Sequence, residues 1–597
     1  MVRENNVGEF YQKLRIAAFH ASTSPVWIFP SANDVDSLCA LKIFTRVLQS
    51  DSVRYSAYPV AASNDINELL KLSLDRSDRS LVVLLINWGA SCNLLQLLNP
   101  GPHVKIFVVD SHRPIHLLNL SRLNTQVTVL YTGEDENQAD MYYGFDIEEL
   151  ADYPDLGSDL DESDEESDED DDDEDTERRR NRRRRTQEAD ESEDREVVRL
   201  RKNKAAYYGK GSFHGIASGY LMHEMSHASH KNNNENLWMA CVALTDQFVH
   251  ERISNERYLS NFMTLEQHIR SAGHLDVAAT ATLKDGTKVR VPDVMRIKVD
   301  EEPRLMLLRE WTLFDSMVNS SYTSTKLKTW TDRGMYSLKL LLANMGIAVT
   351  EAQQQFPHMK TETRNNLKSM FEQIQASSGF TDLYYRSFQR FHGYNPKVSA
   401  ADVVFGVSAI LESYVEATQE HGSYAFANQF WDAYMALNAD SLRELVAGMH
   451  LAIKVQRAIH RQGCYAIMRR EIIRSTRAFR YLILDMTPET ELLAHPLSLT
   501  RFCYFLMDAL RELGHPSKPI LCSAPIPGDP KSHVIVGVSQ RLRIGAQHGN
   551  KFGLAFRTVA QNLGAQYSGD AFESSWIRLK KEDVTSFMLE VQEILSS

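Results

Sequence analysis

The sequence predicts an α/β protein with an N-terminal doubly wound parallel sheet, a large helical insertion and a C-terminal α/β domain. In the first 131 residues, short apolar runs rich in β-branched residues recur with helical patterns between them. A long middle stretch has the apolar period of helices, and from residue 471 the two patterns alternate again. At 597 residues the chain is also too long for one core, which favours several packed units.

The N-terminal strands are predicted from apolar runs that are continuous rather than alternating. Such runs are typical of parallel strands covered by helices on both faces, because neither side of the strand meets water. Helical patterns at Asp36–Leu48 and Asp65–Leu72 supply part of that cover. Functional side chains are expected just beyond the carboxyl ends of such strands. The predicted strands are Val26–Phe29, Leu81–Ile86, Val104–Val109 and Thr128–Tyr131.

The middle of the chain reads as helical, and the end reads as mixed α/β. One segment in the middle, Ala279–Val291, has a β pattern instead and contains an Asp-Gly pair that favours a hairpin turn. The predicted middle helices are Leu237–Arg252, Leu305–Met317, Gly334–Met345 and Ser441–Gln462. The predicted C-terminal strands are Tyr481–Leu484, His533–Val538 and Trp576–Leu579, and they alternate with helices at Ser498–Gly514, Phe552–Leu563 and Lys581–Leu595.

A block of opposite charges interrupts the first α/β region. The run Asp159–Glu177 is almost all carboxylates, and Arg178–Arg185 is almost all arginine. Like charges at this density repel and offer no apolar surface to bury, so residues 158–205 are expected to be a disordered insertion. The predicted domains are therefore 1–157 with 206–260 for the first α/β unit, 261–470 for a mainly helical unit and 471–597 for the last α/β unit.

The charged insertion carries two candidate signals. Its arginines form a cluster of the nuclear-import type and predict a nuclear protein, although charge balance within the loop is an alternative. Its serines have an acidic residue three positions later, which favours phosphorylation by an acid-directed kinase, with incidental linker serines as the alternative. The arginines are Arg178, Arg179, Arg180, Arg182, Arg183, Arg184 and Arg185, and the serines are Ser158, Ser163 and Ser167.

Composition narrows the class of protein. The chain has no stretch of about 20 uncharged apolar residues and no apolar signal at its start, so we expect a soluble intracellular protein without membrane contact. The 6 cysteines are scattered, which indicates reduced, mostly buried side chains rather than a zinc site. The net charge is −13, and without the two charged runs the rest is still mildly acidic. That balance argues against tight duplex binding but leaves a local groove for a single strand open.

Four polar motifs follow the predicted elements in order. They are Asp34 and Asp36 after the first strand, Asn87 after the second, Asp110, Ser111 and His112 after the third, and Asp246 on a helix. Each is weak alone, because an Asp-x-Asp after a strand is commonly a helix cap and Asp-Ser-His is commonly a turn. Together they resemble the metal-binding motifs of the DHH phosphoesterase superfamily, whose active members use two divalent ions to activate water.

The resemblance implies that ligands needed for two ions are lost. Asn87 stands where the superfamily has an aspartate that bridges both ions, Ser111 replaces the first histidine of Asp-His-His, and Pro30 replaces another histidine. Two divalent ions a few ångströms apart need a negative bridge to offset their repulsion, and a neutral amide supplies none. We therefore expect no cofactor and no two-metal catalysis. A single weak ion at Asp34 and Asp36 remains open.

The whole chain is similar to the cell division control protein 45 family. The segments that carry the similarity are Val35–Ala40, Asp110–His112, the acidic-then-basic insertion, Leu244–Phe248, Asn319–Thr323, Ser399–Phe405 and Asn550–Phe556. The resemblance implies a non-catalytic scaffold subunit of the eukaryotic replicative helicase, together with the minichromosome-maintenance hexamer and the GINS tetramer. It also implies contact with other replisome and pre-initiation factors, single-stranded DNA and chromatin. The alternatives are a metal-dependent single-strand exonuclease or phosphoesterase, and an acidic histone chaperone.

The C-terminal domain resembles the DHH-associated domain. In active nucleases that domain grips the substrate strand with a glycine-rich loop ending in histidine, whereas Lys551–Arg557 has one glycine and no histidine. The resemblance thus implies an altered clamp. If the cleft still holds a strand, basic residues beside this loop are candidate DNA contacts, with ordinary surface charge as the alternative. These candidates are Arg541, Arg543, Lys551 and Arg557.

Overall fold

The computed structural model describes residues 3–21, 24–61, 66, 80–132, 144–153, 196–272, 280–282, 288–290, 294–392, 395–413, 425–539, 549–564 and 575–596. Some predictions fall outside these ranges: the helix Asp65–Leu72 apart from residue 66, the candidate phosphoserines, the arginine cluster, and Arg541 and Arg543. The disorder predicted for Asp159–Glu177 also lies outside the described residues. No helix in the described part of the chain is both long and apolar enough to cross a membrane.

The N-terminal region alternates strands and helices as predicted. Its strands are β1 (Arg3–Glu4), β2 (Val26–Pro30), β3 (Tyr55–Ala57), β4 (Leu81–Ile86), β5 (Val104–Val109), β6 (His112–Arg113), β7 (Val127–Leu130) and β8 (Phe213–His214). Its helices are α1 (Val7–His20), α2 (Val35–Ser50), α3 (Leu94–Leu98), α4 (Leu117–Leu120), α5 (Ile147–Ala151), α6 (Ser218–Ala228), α7 (Asn234–Val249) and α8 (Asn255–Ala272).

Six of these strands form one sheet in the order β1-β7-β5-β4-β2-β3, and every pairing is parallel. Strand β2 pairs with β3 on one side and with β4 on the other, so the winding direction reverses between β2 and β4. This is the switch point of a doubly wound sheet, where the loops after adjacent strands diverge and leave a crevice. The carboxyl ends of β2, β4 and β5 therefore meet at one edge.

Helices cover both faces of this sheet. Alternate side chains along a strand point to opposite faces, and β4 shows the consequence because all its residues are buried. Val82, Leu84 and Ile86 pack into the core that contains α1, α2, α6 and α7, and Leu81, Val83 and Leu85 pack into the opposite core. The continuous apolar pattern thus has the physical origin that the sequence indicated.

Residues 196–209 correct the predicted extent of the charged insertion, because they form a helix rather than disordered chain. Leu200 and Tyr207 of this helix are buried in the second core of the sheet. The Tyr207 hydroxyl donates a 2.7 Å hydrogen bond to the Ile115 carbonyl. The two buried side chains and the hydrogen-bonded hydroxyl offset the entropy cost of ordering this segment. Its charged sequence did not suggest such contacts.

The middle region is helical around one small sheet. Its helices are α9 (Leu313–Asn319), α10 (Ser321–Leu327), α11 (Asp332–Asn344), α12 (Val349–Ala352), α13 (Thr361–Ser378), α14 (Ala400–Glu412), α15 (Ala425–Ala436) and α16 (Leu442–Met468). Its strands are β9 (Thr280–Thr282), β10 (Lys288–Arg290), β11 (Val294–Pro303), β12 (Tyr384–His392) and β13 (Asn395–Ser399). The antiparallel pairing of β9 with β10 agrees with the predicted hairpin.

Two features of the middle region differ from the prediction. Strands β11, β12 and β13 form an antiparallel sheet within the unit predicted to be mainly helical. The predicted helix Leu305–Met317 begins only at Leu313, after a 3-10 turn at Leu308–Glu310. Leu307 explains the break because its φ of 50° is left-handed, a conformation that an α-helix of L-residues cannot continue.

The C-terminal region contains a five-stranded sheet, and a long helix joins this region to the N-terminal one. Strands β14 (Arg474–Ser475), β15 (Arg480–Ile483), β16 (Ile520–Ile526), β17 (Asp529–Val538) and β18 (Trp576–Lys580) lie side by side in that order. The helices are α17 (Pro488–Glu491), α18 (Pro496–Glu512), α19 (Phe552–Asn562) and α20 (Val584–Ser596). Helix α16 has 27 residues and spans about 40 Å. Its first half packs into the N-terminal core and its second half into the C-terminal core. The predicted fold class is confirmed.

Candidate functional site

The structure brings the predicted motif positions together at the switch point. Asp34 and Asp36 flank the start of α2, Asn87 follows β4, Asp110 follows β5, and Asp246 lies on α7. All five are buried, with exposed fractions between 1% and 5%. We call Asp34, Asp36, Asn87, Asp110 and Asp246 the aspartate cluster. Four acidic groups sealed from water need internal partners, because an unpaired buried charge is strongly unfavourable.

Asn87 is the centre of the aspartate cluster. Its Nδ2 donates to Oδ1 of Asp34 at 3.1 Å and to Oδ2 of Asp36 at 2.8 Å. Its Oδ1 accepts from the backbone N–H of Ser111 at 3.2 Å and from the Ser218 hydroxyl. Because a backbone N–H can only donate, the amide orientation follows from the network. Asn87 has a left-handed φ of 57°, which asparagine tolerates better than most residues.

The two aspartates after β2 act as caps, but on different helices. Asp34 is the N-cap of α2, where its Oδ1 accepts from the N–H of Ser37 at 2.6 Å. Asp36 instead accepts from the N–H groups of Ser218 and Gly219, at 2.8 and 2.7 Å, at the start of α6. Both carboxyls satisfy N–H groups that a helix leaves unpaired. Asp34 thus caps the helix that follows it, as is common for an Asp-x-Asp after a strand, whereas Asp36 caps a helix far along the chain.

Burial makes the first pair of aspartates reluctant to ionise. It raises the pKa of Asp34, an effect that the charge of Arg252 opposes. Burial and the adjacent Asp34 raise the pKa of Asp36 to about 7. Two carboxyls held this close share protons as a pair, so near neutral pH they carry less than two full negative charges.

The remaining two aspartates are charged and are paired with bases of the same chain. Asp246 accepts from Arg252 Nη1 at 2.9 Å and lies 2.9 Å from His250 Nδ1. Burial tends to raise the pKa of Asp246, but Arg252 and His250 outweigh it and the pKa is lowered. Asp110 Oδ1 lies 2.7 Å from His112 Nδ1, and its Oδ2 accepts from the N–H of Ala90 at 3.0 Å. His112 likewise outweighs burial and lowers the pKa of Asp110.

These contacts test whether the residues fit the two divalent ions that the DHH resemblance implies. Every carboxyl of the aspartate cluster already accepts a hydrogen bond from this chain. The group facing both Asp34 and Asp36 is the NH₂ of Asn87, which has no lone pair to offer a cation. The residues present do not fit a pair of divalent ions, because internal donors take the places of the cations.

A narrow cleft lies between the sheet edge and the C-terminal domain. It is lined by His112 and His214 on one side and by Arg501 and Tyr504 on the other. Its volume is about 120 Å³. Sites for small-molecule ligands usually measure roughly 300–1,000 Å³, so a nucleotide needs the two walls to move apart.

The chain's own backbone closes one end of this cleft. Ser212 and Asn550 form two backbone hydrogen bonds of 2.9 and 2.6 Å, and the Gly549 N–H donates to the Lys210 carbonyl at 2.7 Å. Gly211 allows this crossing, since its φ is +81° and an added Cβ would lie 2.8 Å from the Asn550 carbonyl. The segment just before Lys551 is thus tied to the N-terminal unit.

The described candidates for DNA contact lie beside this crossing. Lys551 and Arg557 are both exposed. Arg557 contributes, after burial, to the lowered pKa of His116, which is about 4, so its charge lies close to the loop after β6. Phe552 and Phe556 of the same stretch are buried in the core that packs α19 and α20 against the C-terminal sheet. The stretch Lys551–Arg557, which enters α19 at Phe552, therefore combines a buried apolar face with an exposed basic face.

Sequence reasoning missed the donors that complete the site. Ser218, Arg252 and His250 were not singled out, although each contacts the aspartate cluster. Arg252 lies just six residues after Asp246 at the end of α7, so the spacing was a usable signal. With these donors, the fold and site define a doubly wound α/β protein whose switch-point aspartates are paired with donors of the same chain.

Comparisons with known proteins identify the family. The CDC45 family model matches residues 26–594. The Homo sapiens cell division control protein 45 homolog is 28% identical over 95% of this chain and 96% of its own length. The Schizosaccharomyces pombe homolog is 29% identical over 98% of each chain. The crystal structure of CDC45 from Entamoeba histolytica covers 100% of both chains at a TM-score of 0.68 and 19% identity. The chain belongs to the CDC45 family and has a role in DNA replication and the cell cycle.

Proposed function

We propose that this chain is a non-catalytic scaffold subunit of the replicative helicase, acting in the nucleus with the minichromosome-maintenance hexamer and the GINS tetramer. The observation that carries the proposal is the Asn87 amide, which donates to both Asp34 and Asp36. A phosphoesterase needs those oxygens for its ions. A scaffold needs only the fold, and here the same groups cap two helices and hold them to the sheet edge.

A degradation assay separates this proposal from the exonuclease alternative. Purified protein is incubated with end-labelled single-stranded DNA and manganese, beside the Asp36→Asn and Asp246→Asn variants. We expect no shortening of the DNA by any of the three proteins. Shortening by the wild-type protein that both substitutions abolish would establish the exonuclease and contradict the scaffold.

Assembly is tested by co-elution of the full chain with the minichromosome-maintenance hexamer and the GINS tetramer in gel filtration. We expect all three components in one peak. A peak that contains the other two components without this chain would contradict the proposal. The scaffold role also predicts that Asn87→Ala leaves co-elution intact if the variant folds, because Asn87 is 1% exposed and cannot touch a partner.

Single-stranded DNA is proposed to bind along the exposed basic face at the start of α19. The salt slope of binding should fall by roughly 0.7 for every phosphate that the protein no longer neutralises. The variant replaces Arg541, Arg543, Lys551 and Arg557 with glutamine. The matched control replaces four exposed bases of the middle region with glutamine, namely Arg333, Lys339, Arg443 and Lys454. We expect weaker binding and a shallower slope in the first variant only. Equal behaviour of the two variants would place the DNA elsewhere.

Nuclear import is proposed to depend on the arginine run between Arg178 and Arg185. A tagged chain with these arginines replaced by glutamine should stay in the cytoplasm, and continued nuclear accumulation would show that the run is dispensable.

Phosphorylation of Ser158, Ser163 and Ser167 is likewise a proposal. Mass spectrometry of the chain purified from dividing cells tests it, and an unmodified peptide would contradict it.

A further inference from the structure

A second group of metal-binding side chains lies outside the aspartate cluster. Helix α6 carries His223, Glu224 and His227, and helix α8 carries His268. We call these four residues the histidine cluster. Ligand atoms of His223, Glu224 and His268 all lie within 4.8 Å of one another, the one such group of three among the described residues.

The distances within the histidine cluster suit one small ion. His223 Nε2 lies 3.2 Å from His268 Nδ1, and His268 Nδ1 lies 3.9 Å from Glu224 Oε1. Ligand atoms about 2.1 Å from a tetrahedral zinc ion lie about 3.3 Å apart. The two imidazoles are therefore already at coordination spacing, and the carboxylate needs only a small side-chain rotation.

His227 stacks on the proposed ligand His268. The two rings are parallel, with an interplanar angle of 3° and centroids 5.0 Å apart. The spacing from His223 to His227 is the His-Glu-x-x-His pattern of helical zinc sites. Here the second histidine of the pattern lies flat against His268, so we assign it the role of orienting that ring.

Burial disfavours a positive charge on either imidazole of the histidine cluster. With His268 and His227 it lowers the pKa of His223 to about 3, and with His227 it also lowers the pKa of His268. His223 is 2% exposed and its Nδ1 is buried without a hydrogen-bond partner, whereas the side chains of His268 and Glu224 are 22% and 31% exposed. The site therefore combines one buried ligand with two ligands that solvent can reach.

We propose that His223, His268 and Glu224 bind one divalent transition-metal ion of the zinc type, with the remaining coordination position open to water. Nitrogen ligands with one carboxylate favour zinc, cobalt or nickel over magnesium or calcium. The ion would join α6 to α8. Because the N–H groups of Ser218 and Gly219 at the start of α6 bind Asp36, the same ion would stabilise the helix that seals the aspartate cluster.

Cobalt titration of the untagged, chelator-treated full chain tests the proposal. Tetrahedral cobalt absorbs visible light, so binding is read directly. We expect one ion per chain, and affinity at least about 100-fold weaker in His268→Gln and in Glu224→Gln, since even indirect supports of a metal site give 10–100-fold effects. Both ligands are partly exposed, and circular dichroism confirms that the variants are folded.

Two control variants separate this site from its neighbours. His103→Gln, at an exposed histidine before β5, and Asp34→Asn should each still bind one ion, because neither residue belongs to the histidine cluster. Zinc should also raise the melting temperature of the wild-type protein and not that of Glu224→Gln. The proposal is overturned if no stoichiometric binding occurs, if His268→Gln and Glu224→Gln bind normally, or if Asp34→Asn alone loses the ion.

Discussion

Helix α6 takes part in two groups of side chains of the types that bind metals. The two groups differ in the hydrogen-bond donors that surround their ligand atoms. At its start, the aspartate cluster receives hydrogen bonds from Asn87, Ser218 and Gly219. Further along, the histidine cluster places ligand atoms of His223, Glu224 and His268 within 4.8 Å of one another. The cluster that resembles the DHH metal site does not fit a pair of divalent ions, whereas the histidine cluster has a ligand spacing that suits one ion. Residue type alone therefore does not define a metal site, because the donors around the ligands decide whether an ion is needed.

The largest effect is expected from Asn87→Asp, which removes the donor between Asp34 and Asp36 and adds a fifth buried carboxyl to the aspartate cluster. An uncompensated buried charge costs about 3–5 kcal/mol. Urea unfolding should show a loss of that size at pH 7. The control is Asn93→Asp, the N-cap of α3, where aspartate caps as well as asparagine. Equal stability of the two variants would mean that the Asn87 amide does not hold the cluster together.

Much of the aspartate cluster could be predicted from sequence, because its acids follow strands in chain order. Asp34, Asn87 and Asp110 were placed at strand ends, and parallel strands bring such ends to one edge. The donors could not be predicted in the same way. Ser218 lies 182 residues from Asp36, so no local pattern connects them. The orientation of the Asn87 amide follows from the N–H of Ser111, which only coordinates reveal.

The sheet of the middle region and the helix 196–209 were missed for a different reason. Strand β11 reads Val-Met-Arg-Ile-Lys-Val-Asp-Glu-Glu-Pro, and its charges hide the apolar alternation of a strand. The helix 196–209 has just two buried apolar anchors, Leu200 and Tyr207, in a charged sequence. The His-Glu-x-x-His spacing of the histidine cluster was readable, but the partner His268 lies on another helix.

A second prediction compares two glycines with a left-handed φ. Gly211 lies against the Asn550 backbone, and Gly346 has no neighbouring atoms where a Cβ would lie. Gly211→Ala introduces a Cβ 2.8 Å from the Asn550 backbone at a φ of +81°, so it combines strain with a clash. Gly346→Ala has a φ of +71° and no atom within 4 Å, so it carries the strain of about 1–2 kcal/mol alone. Gly211→Ala should lose more stability than Gly346→Ala in urea unfolding. It should also speed hydrogen exchange at Ser212 and Asn550, whereas unchanged exchange would show that the crossing withstands the clash.

A third prediction concerns the pH dependence of stability. The folded-state pKa of Asp36 is raised to about 7, above an unfolded value of about 3.9. The folded state therefore holds a proton that the unfolded state releases, so the contribution of Asp36 is full below about pH 4 and is lost as pH rises toward 7. The loss is at most about 1.4 kcal/mol per pH unit. Asp36→Asn should flatten the fall in unfolding free energy between pH 5 and 7. Parallel curves for the two proteins would contradict the raised pKa.

The most direct test of the internally neutralised site is manganese binding, measured by the electron paramagnetic resonance of the free ion. The protein carries His268→Gln so that the histidine cluster does not contribute. Internal donors already bond to at least one carboxyl oxygen of each of Asp34, Asp36 and Asp246. The free manganese signal should therefore keep its full intensity when protein is present in excess. Loss of the signal in proportion to protein, with recovery in the Asp36→Asn variant, would show that the aspartate cluster still binds a catalytic-type ion.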